Sequence, residues 1–247
     1  MMKLFLDATA YIDTRDFTDL SIGVAPSGVQ AWYLNPPRIE PVTENGFVGS
    51  VALGGGVNFR NIYFNPHGHG THTESYGHIA REVFPISTCF HEYIFRARLI
   101  TLSPENHGDD RVITADQLIK ALPSGAVEAL LIRTLPNDAT KQGFNYSNTN
   151  PPFMHKHCVD VLNSYGVNHL LVDIPSVDKE RDGGELAFHH TFWEVPENPN
   201  PHRTITELIF VPNFLSDGEY LLELQVSNFE NDAAPSRPLL YPIKKEA

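Results

Sequence analysis

Side chains that commonly bind divalent metals are concentrated in the stretch from Phe64 to His78. Four of the twelve histidines lie within twelve residues here, together with one glutamate. The ligand-type residues of the stretch are His67, His69, His72, Glu74 and His78. Imidazole nitrogens and carboxylate oxygens are the usual protein ligands of zinc and related ions. Glycines at 68, 70 and 77 let the backbone turn sharply enough to bring such side chains together. The sequence therefore predicts a metal site in this stretch.

The spacing within the stretch indicates how the side chains could converge. His72 and Glu74 are two residues apart, so on an extended backbone they point to the same side and could bind one ion. His78, four residues after Glu74, could return around the Gly77 turn, either as a ligand or as an acid/base group beside the ion. The alternative is a surface loop without an ion, which would not need so many ligand-type side chains.

A second set of candidate ligands lies far downstream. His189, His190 and Glu207 are weak candidates alone, because adjacent histidines in a polar loop are commonly solvated and a strand glutamate can face water. Glu207 lies among apolar residues of a predicted strand at 205–211, so an inward-pointing carboxylate would need a cation or a hydrogen-bond donor. A metal would supply that partner.

His155 and His157, next to Cys158, also have ligand-type spacing. The apolar residues of this segment recur at helical spacing and leave both histidines on the polar side of a helix, so we interpret them as surface residues. The glycine run at 54–56 matches neither a dinucleotide-binding nor a phosphate-binding signature, and no Gly-x-Ser-x-Gly elbow occurs.

Composition limits the class of protein. The formal net charge of -12, from 18 basic and 30 acidic residues, argues against binding to nucleic acid or to a membrane surface. Cys89 and Cys158 are too few for a disulfide framework and are predicted to be buried free thiols. The apolar run at the N-terminus is too short for a signal peptide, so a cytoplasmic location is expected. Without repeats or a linker, residues 1–247 are predicted to form one domain.

The elements that must position these residues are predicted from periodicity and turn signals. Strands are predicted from alternating or continuous apolar character at 48–53, 59–64, 91–102, 127–134, 167–174, 205–211 and 220–226. Helices are predicted after the capping-box pair Thr114 and Gln117, and over 154–165. Strand, helix and strand over 127–174 predict a right-handed βαβ unit with parallel strands. Residues 232–238 are predicted to form a loop.

The order of these signals resembles a family of cyclase-type metal-dependent hydrolases that includes bacterial kynurenine formamidase and isatin hydrolase. Its motif is His-x-Gly-Thr-His-x-Asp-x-Pro-x-His, and this chain has Gly-Thr-His-Thr-Glu-Ser-Tyr-Gly-His over 70–78 at the same spacing. Further matches to the family are the strand at 127–134, Val172 to Asp178, His189-His190, Ile205 to Leu208 and Asp232 to Pro238.

The resemblance implies an α/β domain of the swivelling β/β/α type, with a mixed sheet and few helices, that forms a homodimer or larger homo-oligomer. It also implies one or two divalent ions, zinc with manganese as the alternative. Transferred by position, the implied site consists of the ligands His72 and Glu74, the distal ligands His189 and Glu207, and the catalytic His78.

The chain departs from the motif most seriously at the first histidine ligand. That place, four residues before the second motif histidine, is occupied by Gly68, with His67 and His69 on either side. We expect a local backbone shift to bring His69 into the site, with His67 as the alternative; otherwise one metal position is lost. His190 is the alternative ligand at the distal position. A glutamate replaces the motif aspartate and keeps the carboxylate.

The activity that the resemblance implies is metal-dependent hydrolysis of a C–N bond in a small amide, formamide or cyclic amide. The substrate would therefore be a small molecule, and His78 would move the protons. Two alternatives use the same fold. One is a binding or structural protein that has lost the chemistry, which Gly68 favours; the other is a non-hydrolytic cyclase or dehydratase.

Overall fold

The computed structural model describes residues 2–246, which form many short strands and three α-helices. In chain order the strands are β1 (Lys3–Phe5), β2 (Ala10–Asp13), β3 (Thr18–Asp19), β4 (Arg38–Pro41), β5 (Thr43–Glu44), β6 (Phe47–Val48), β7 (Arg60–Tyr63), β8 (His72–Glu74), β9 (Ile94–Leu102), β10 (Glu105–His107), β11 (Asp110–Ile113), β12 (Ala129–Thr134), β13 (Phe153–Met154), β14 (His169–Val172), β15 (Thr204–Glu207), β16 (Gly218–Val226), β17 (Ala233–Pro242) and β18 (Lys244–Lys245). The helices are α1 (Ala115–Ala121), α2 (Cys158–Tyr165) and α3 (Ala187–Trp193).

Seven strands close into a ring at the centre of the protein. Their hydrogen-bonded order is β16, β9, β12, β14, β15, β8 and β17, and β17 pairs back onto β16. Strands β9, β12, β14 and β15 run parallel to one another, whereas the other pairs in the ring are antiparallel. The ten-residue β17 also pairs with the short β3. The prediction of an α/β fold of the swivelling β/β/α type, with a mixed sheet and few helices, is confirmed.

The parallel strands are apolar on both faces because each face packs into a core. All six residues of β12 are buried. Leu130 and Ile132 belong to a core that includes residues of α1, α2 and α3, whereas Leu131 belongs to a second core formed largely by strand residues from around the ring. This alternation follows from the two-residue period of a strand. It explains why the sequence of β12 is almost continuously apolar.

Two predicted local features are confirmed in detail. Strands β12 and β14 are adjacent and parallel and are connected through α2, which is the predicted βαβ unit. At α1, the Thr114 side chain accepts a hydrogen bond from the Gln117 N–H, and the Gln117 side chain accepts one from the Thr114 N–H. Helix α2 begins at Cys158, later than predicted, because Met154 lies in β13.

The predicted loop at 232–238 is wrong, because most of it lies in β17. Pro235 and Pro238 led to the loop prediction, because proline has no N–H to donate to a neighbouring strand and is uncommon within strands. In the structure their carbonyl groups still accept hydrogen bonds, from the Ser227 N–H at 2.9 Å and from the Leu20 N–H at 3.0 Å. The segment therefore pairs on both edges without the missing donors.

Two further elements differ from the predictions. The strand predicted at 48–53 ends with β6, and Val51–Leu53 forms a 3₁₀ turn with exposed side chains. His189 and His190 lie on α3 rather than in a polar loop. The other predicted strands are present, with ends that differ by a few residues.

The cysteines agree with the prediction, because Cys89 and Cys158 are both buried and free. None of the helices between residues 2 and 246 combines the length and apolar character that a membrane crossing requires.

Replacing Gly77 with alanine tests the packing that carries His78 to its place. Gly77 lies in the 3₁₀ turn Tyr76–His78, and an added Cβ would lie 2.4 Å from the Phe84 backbone nitrogen and 2.6 Å from its oxygen. Because backbone atoms cannot move aside as a side chain can, we expect Gly77→Ala to lower the free energy of unfolding by about 1–3 kcal/mol in urea denaturation. Gly23→Ala, where an added Cβ meets nothing within 4 Å, is the control. Equal stability of the two variants would contradict this packing.

Candidate metal centre

Strand β8 places two ligand-type residues at the centre of the protein. It pairs antiparallel with β15 and β17, and the register sets Glu207 opposite His72. The intervening Thr73 faces the other way, where its hydroxyl lies 2.8 Å from that of Thr206. All three residues of β8 are buried. The two-residue spacing brings ligand-type atoms of His72 and Glu74 within 4.8 Å of each other.

Glu74 is a fully enclosed charged group. It has no exposed surface, its Oε1 lies 3.0 Å from His189 Nε2, and its Oε2 lies 3.0 Å from His67 Nδ1. The contact with His67 lacks hydrogen-bond alignment, so Oε2 has no hydrogen-bond partner among residues 2–246. Burial alone would raise the pKa of Glu74, but attraction from His78 and the hydrogen bond with His189 hold it well below its usual value. Glu74 is therefore a carboxylate.

His67 reaches the site from the 3₁₀ turn that precedes β8. The turn begins at Asn65, whose side chain accepts a hydrogen bond from the His67 N–H, and Trp32 Nε1 donates to the His67 carbonyl at 3.1 Å. The ring lies between two carboxylates, with Nδ1 3.0 Å from Glu74 and Nε2 2.8 Å from Asp232. Burial favours the neutral ring, but Asp232 and Glu74 together raise the pKa of His67 to about 10. Without a metal, His67 is a cation.

The structure brings His67, and not the expected His69, to the other candidate ligands. The His69 ring is buried, but its Nδ1 accepts a backbone N–H hydrogen bond at 2.9 Å. Among residues 2–246 it belongs to none of the histidine and carboxylate groups that could share an ion. Gly68 is closely packed, since an added Cβ would lie 2.5 Å from Leu34 Cδ1, at the end of a flexible side chain, and 3.1 Å from the Ala31 oxygen. The tight turn leaves His67, one residue earlier, facing the site.

His189 approaches Glu74 from α3. Its Nε2 lies 3.0 Å from Glu74 Oε1 and 3.9 Å from Glu207 Oε1, and its Nδ1 lies 2.6 Å from Asp178. Asp178 also accepts hydrogen bonds from the N–H groups of Phe188 and His189, which fixes the start of α3. Burial opposes the cation, but Asp178 and Glu74 raise the pKa of His189 to about 10.

His72 and Glu207 form the inner side of the cluster. His72 Nε2 lies 3.5 Å from Glu207 Oε2, and His72 Nδ1 lies 3.2 Å from the Gly70 carbonyl oxygen. With its proton on Nδ1, the ring presents an acceptor at Nε2, which is buried and has no hydrogen-bond partner in the described chain. Glu207 Oε1 accepts a hydrogen bond from the Val177 N–H at 3.0 Å. His190 belongs to none of the groups that could share an ion among residues 2–246, and its Nδ1 contacts a backbone carbonyl at 3.0 Å.

His78 lies at the open edge of the cluster. Its ring stacks on that of His67, with centroids 4.2 Å apart. Its Nδ1 lies 3.5 Å from Asp232 Oδ2 and its Nε2 lies 4.0 Å from Glu74 Oε2. The His78 side chain is 30% exposed, compared with 19% for His67 and 1% for His72, so it is the most exposed of these three rings.

The donor set fits a divalent metal ion. His72 Nε2 and Glu74 Oε2 lie on one side of β8, buried and without hydrogen-bond partners among the described residues, and burying polar atoms without hydrogen bonds is costly. His67 completes a group of three with them. Two overlapping groups consist of Glu74, His78 and His189, and of His67, His78 and Asp232. Two imidazoles with a carboxylate suit zinc and other first-row divalent ions.

Sequence reasoning does not identify two aspartates of this site. Asp178 and Asp232 each contact the far nitrogen of a buried or partly buried histidine. Both belong to segments that match the family pattern, which is the one signal that could have pointed to them. His155 and His157 are exposed, as interpreted from the sequence, and belong to none of the groups that could share an ion in the described chain.

Comparison with protein families defines the class of this protein. The family model described as Putative cyclase matches residues 18–179, more than half of the chain, so the protein belongs to that family. This agrees with the resemblance inferred from the motifs. Comparison with curated protein sequences gives no match.

Solved structures show the same fold at low sequence identity. A structure described as a potential metal-dependent hydrolase with cyclase activity is 16% identical, with a TM-score of 0.65 over 94% of this chain and 98% of that one. Isatin hydrolase A from Labrenzia aggregata, bound to benzyl benzoate, is 14% identical, with a TM-score of 0.63 over 91% of this chain and 93% of that one. A predicted metal-dependent hydrolase from Bacillus stearothermophilus is 17% identical, with a TM-score of 0.61 over 91% and 97%.

We expect the metal-free protein to lose stability as the pH rises above neutrality. His67 and His189 have pKa values of about 10 when folded, against an ordinary value of 6.5, so between these values the folded state keeps protons that the unfolded state has released. Their stabilisation is fully present below pH 6.5 and is lost as the pH rises through about 10. The free energy of unfolding should fall by up to about 1.4 kcal/mol per pH unit for each histidine. Urea denaturation with a chelator present measures the slope.

Two variants assign this slope to its source. His67→Gln should make it shallower, whereas His157→Gln, at an exposed position, should leave it unchanged. An identical slope in His67→Gln and wild type would show that His67 does not hold the proton.

Proposed function

We propose that the protein is a metal-dependent hydrolase that cleaves a C–N bond in a small amide, formamide or cyclic amide. The observation that carries the proposal is the group of buried His72 and Glu74 with partly buried His67, directly beside the partly exposed His78. Two of its ligand atoms, His72 Nε2 and Glu74 Oε2, make no hydrogen bond within the described chain. Family membership supports it, as does the shared fold with a structure named as isatin hydrolase, because isatin is a cyclic amide.

The ligand-type residues would have distinct positions around the metal. His67, His72 and Glu74 would hold one ion, zinc or manganese, and His189 and Glu207 would contribute to a second if two are bound. Such an ion supplies Lewis acidity, which lowers the pKa of water and polarises a carbonyl group. Because the ligand atoms are buried, the ion would be shielded from bulk water on the inner side.

His78 would carry the protons of the reaction. Water adds to the carbonyl carbon and the C–N bond breaks, so one proton must leave the water and one must reach the departing nitrogen. The Nε2 atom of His78 lies on the side of Glu74 Oε2, whereas its Nδ1 is on the side of Asp232. A partly exposed imidazole in this orientation can take the first proton and deliver the second.

The geometry of the site argues against a binding protein without chemistry but does not separate a hydrolase from a cyclase or dehydratase. A binding protein without chemistry was favoured by Gly68, but His67 presents the side chain that Gly68 lacks, which weakens that alternative. A non-hydrolytic cyclase or dehydratase would use the same ligands and is distinguished by its product. The homo-oligomer, the small-molecule substrate and the cytoplasmic location stay predictions.

Activity on a panel of aryl formamides and cyclic amides tests the proposal. We expect zinc- or manganese-loaded wild type to hydrolyse members of the panel, and His78→Ala to lower kcat by about 10²–10⁴-fold, the usual contribution of acid/base catalysis. Metal content per chain should stay the same in His78→Ala. His157→Ala, which removes an exposed histidine outside the cluster, should keep wild-type activity.

Two results would contradict the hydrolase. One is a wild-type protein that binds no divalent metal; the other is a loaded protein that cleaves no C–N bond in the panel. Reaction in ¹⁸O-labelled water separates the remaining alternative, because hydrolysis places the label in the carboxyl product and a cyclase or dehydratase does not.

A further inference from the structure

Asp232 occupies a position between two histidines of the site. Its Oδ2 lies 2.8 Å from His67 Nε2 and 3.5 Å from His78 Nδ1. The Asp232 side chain is only 15% exposed, so water screens its interactions with the two histidines only weakly. One oxygen of one side chain thus faces both the histidine that the structure offers as a ligand and the one proposed for proton transfer.

The backbone holds Asp232 firmly in this place. Its carbonyl oxygen accepts a hydrogen bond from the Ser75 N–H at 3.0 Å, and Ser75 directly follows Glu74. The preceding residue, Asn231, accepts a hydrogen bond from the Ile86 N–H at 2.8 Å. The Asp232 backbone is therefore hydrogen-bonded to the residue that directly follows Glu74.

Each of the two rings, His67 and His78, has one nitrogen near Glu74 and the other near Asp232. His67 presents Nδ1 to Glu74 and Nε2 to Asp232, whereas His78 presents Nε2 to Glu74 and Nδ1 to Asp232. Both carboxylates can only accept hydrogen bonds. Of these four contacts, however, only that between His67 Nε2 and Asp232 is a hydrogen bond, and His78 lies closer to Asp232, at 3.5 Å, than to Glu74, at 4.0 Å. Asp232 therefore favours the ring forms with N–H on its own side. The nitrogens on the side of Glu74 are then left for a metal and for a substrate proton.

We propose that Asp232 is the shared positioning residue of this site, which orients His67 as an Nδ1 ligand and His78 as an Nε2 acid/base. This inference rests on the proposed function. A carboxylate behind a metal-binding imidazole fixes its tautomer and ring orientation, and its loss commonly lowers metal affinity by about 10–100-fold. Asp178 stands in the same relation to His189, at 2.6 Å from its Nδ1, but serves one histidine only.

Asp232→Asn tests the inference because it keeps the size of the side chain and removes its charge. We expect zinc affinity, measured by calorimetry, to fall by about 10–100-fold. We also expect kcat to fall more than KM changes, since His78 would lose its orientation. Nitrogen NMR of the histidine rings in the zinc-loaded wild type should show metal on His67 Nδ1 and the proton of neutral His78 on Nδ1.

Asp19→Asn is the matched control. The Asp19 carboxylate is also partly buried, 29% exposed, and pairs with Arg237 of β17 at 2.8 Å, outside the cluster. It should leave zinc affinity within about threefold of wild type, since a change at a surface pair does not alter ligand orientation. Equal zinc affinity in Asp232→Asn and Asp19→Asn would overturn the inference.

The remaining outcomes separate this inference from the proposed function. If wild type binds zinc but hydrolyses nothing, the hydrolase proposal fails while the affinity ratio and the ring tautomers still decide the role of Asp232. If Asp232→Asn does not fold, the wild-type spectrum decides alone: metal on His67 Nε2, or the His78 proton on Nε2, overturns the inference. A wild type that binds neither zinc nor manganese overturns both proposals.

Discussion

The buried charge of Glu74 is the constraint on which the rest of the site depends. An ionised carboxylate without exposed surface is unstable unless cations or hydrogen-bond donors surround it. Two histidines contact the Glu74 carboxylate: His67, from a turn before β8, and His189, from α3. Each of these rings has an aspartate at its far nitrogen, Asp232 for the first and Asp178 for the second. The central carboxylate thus organises two histidine–aspartate pairs.

The negative charge of Glu74 can be neutralised either by protons on the neighbouring histidines or by a metal ion. Without a metal, His67 and His189 both have pKa values of about 10 and are cations beside Glu74. Ligation requires neutral imidazole, so a metal bound by either ring must displace a proton. Because a divalent ion brings its own positive charge, the carboxylate keeps a cationic partner in both states. The enclosed position of Glu74 is therefore compatible with a metal-free fold and with metal binding.

Local rules predicted the parts of the protein that local sequence determines. The two-residue spacing of His72 and Glu74 indicated a shared face, and β8 has that geometry. The capping box of α1 and the continuous apolar run of β12 were equally readable, because their determinants lie within a few residues. The prolines of β17 misled prediction, since the strand depends on pairing partners that are distant in sequence.

The positions of His67 and the two aspartates in the site could not be predicted from residue spacing. His67 rather than His69 faces Glu74 from the turn Pro66–Gly68, and Trp32, 35 residues earlier, donates a hydrogen bond to the His67 carbonyl. Asp232 likewise meets His67 across 165 residues of sequence, whereas Asp178 lies 11 residues before His189 of α3. The family resemblance located these segments but did not say which atoms meet.

Anomalous X-ray diffraction from crystals of the zinc-loaded protein tests the central claim most directly. The zinc peak should lie within about 2.0–2.2 Å of His67 Nδ1, His72 Nε2 and Glu74 Oε2. A peak bound by His69 instead of His67, or the absence of any peak beside Glu74, would contradict it.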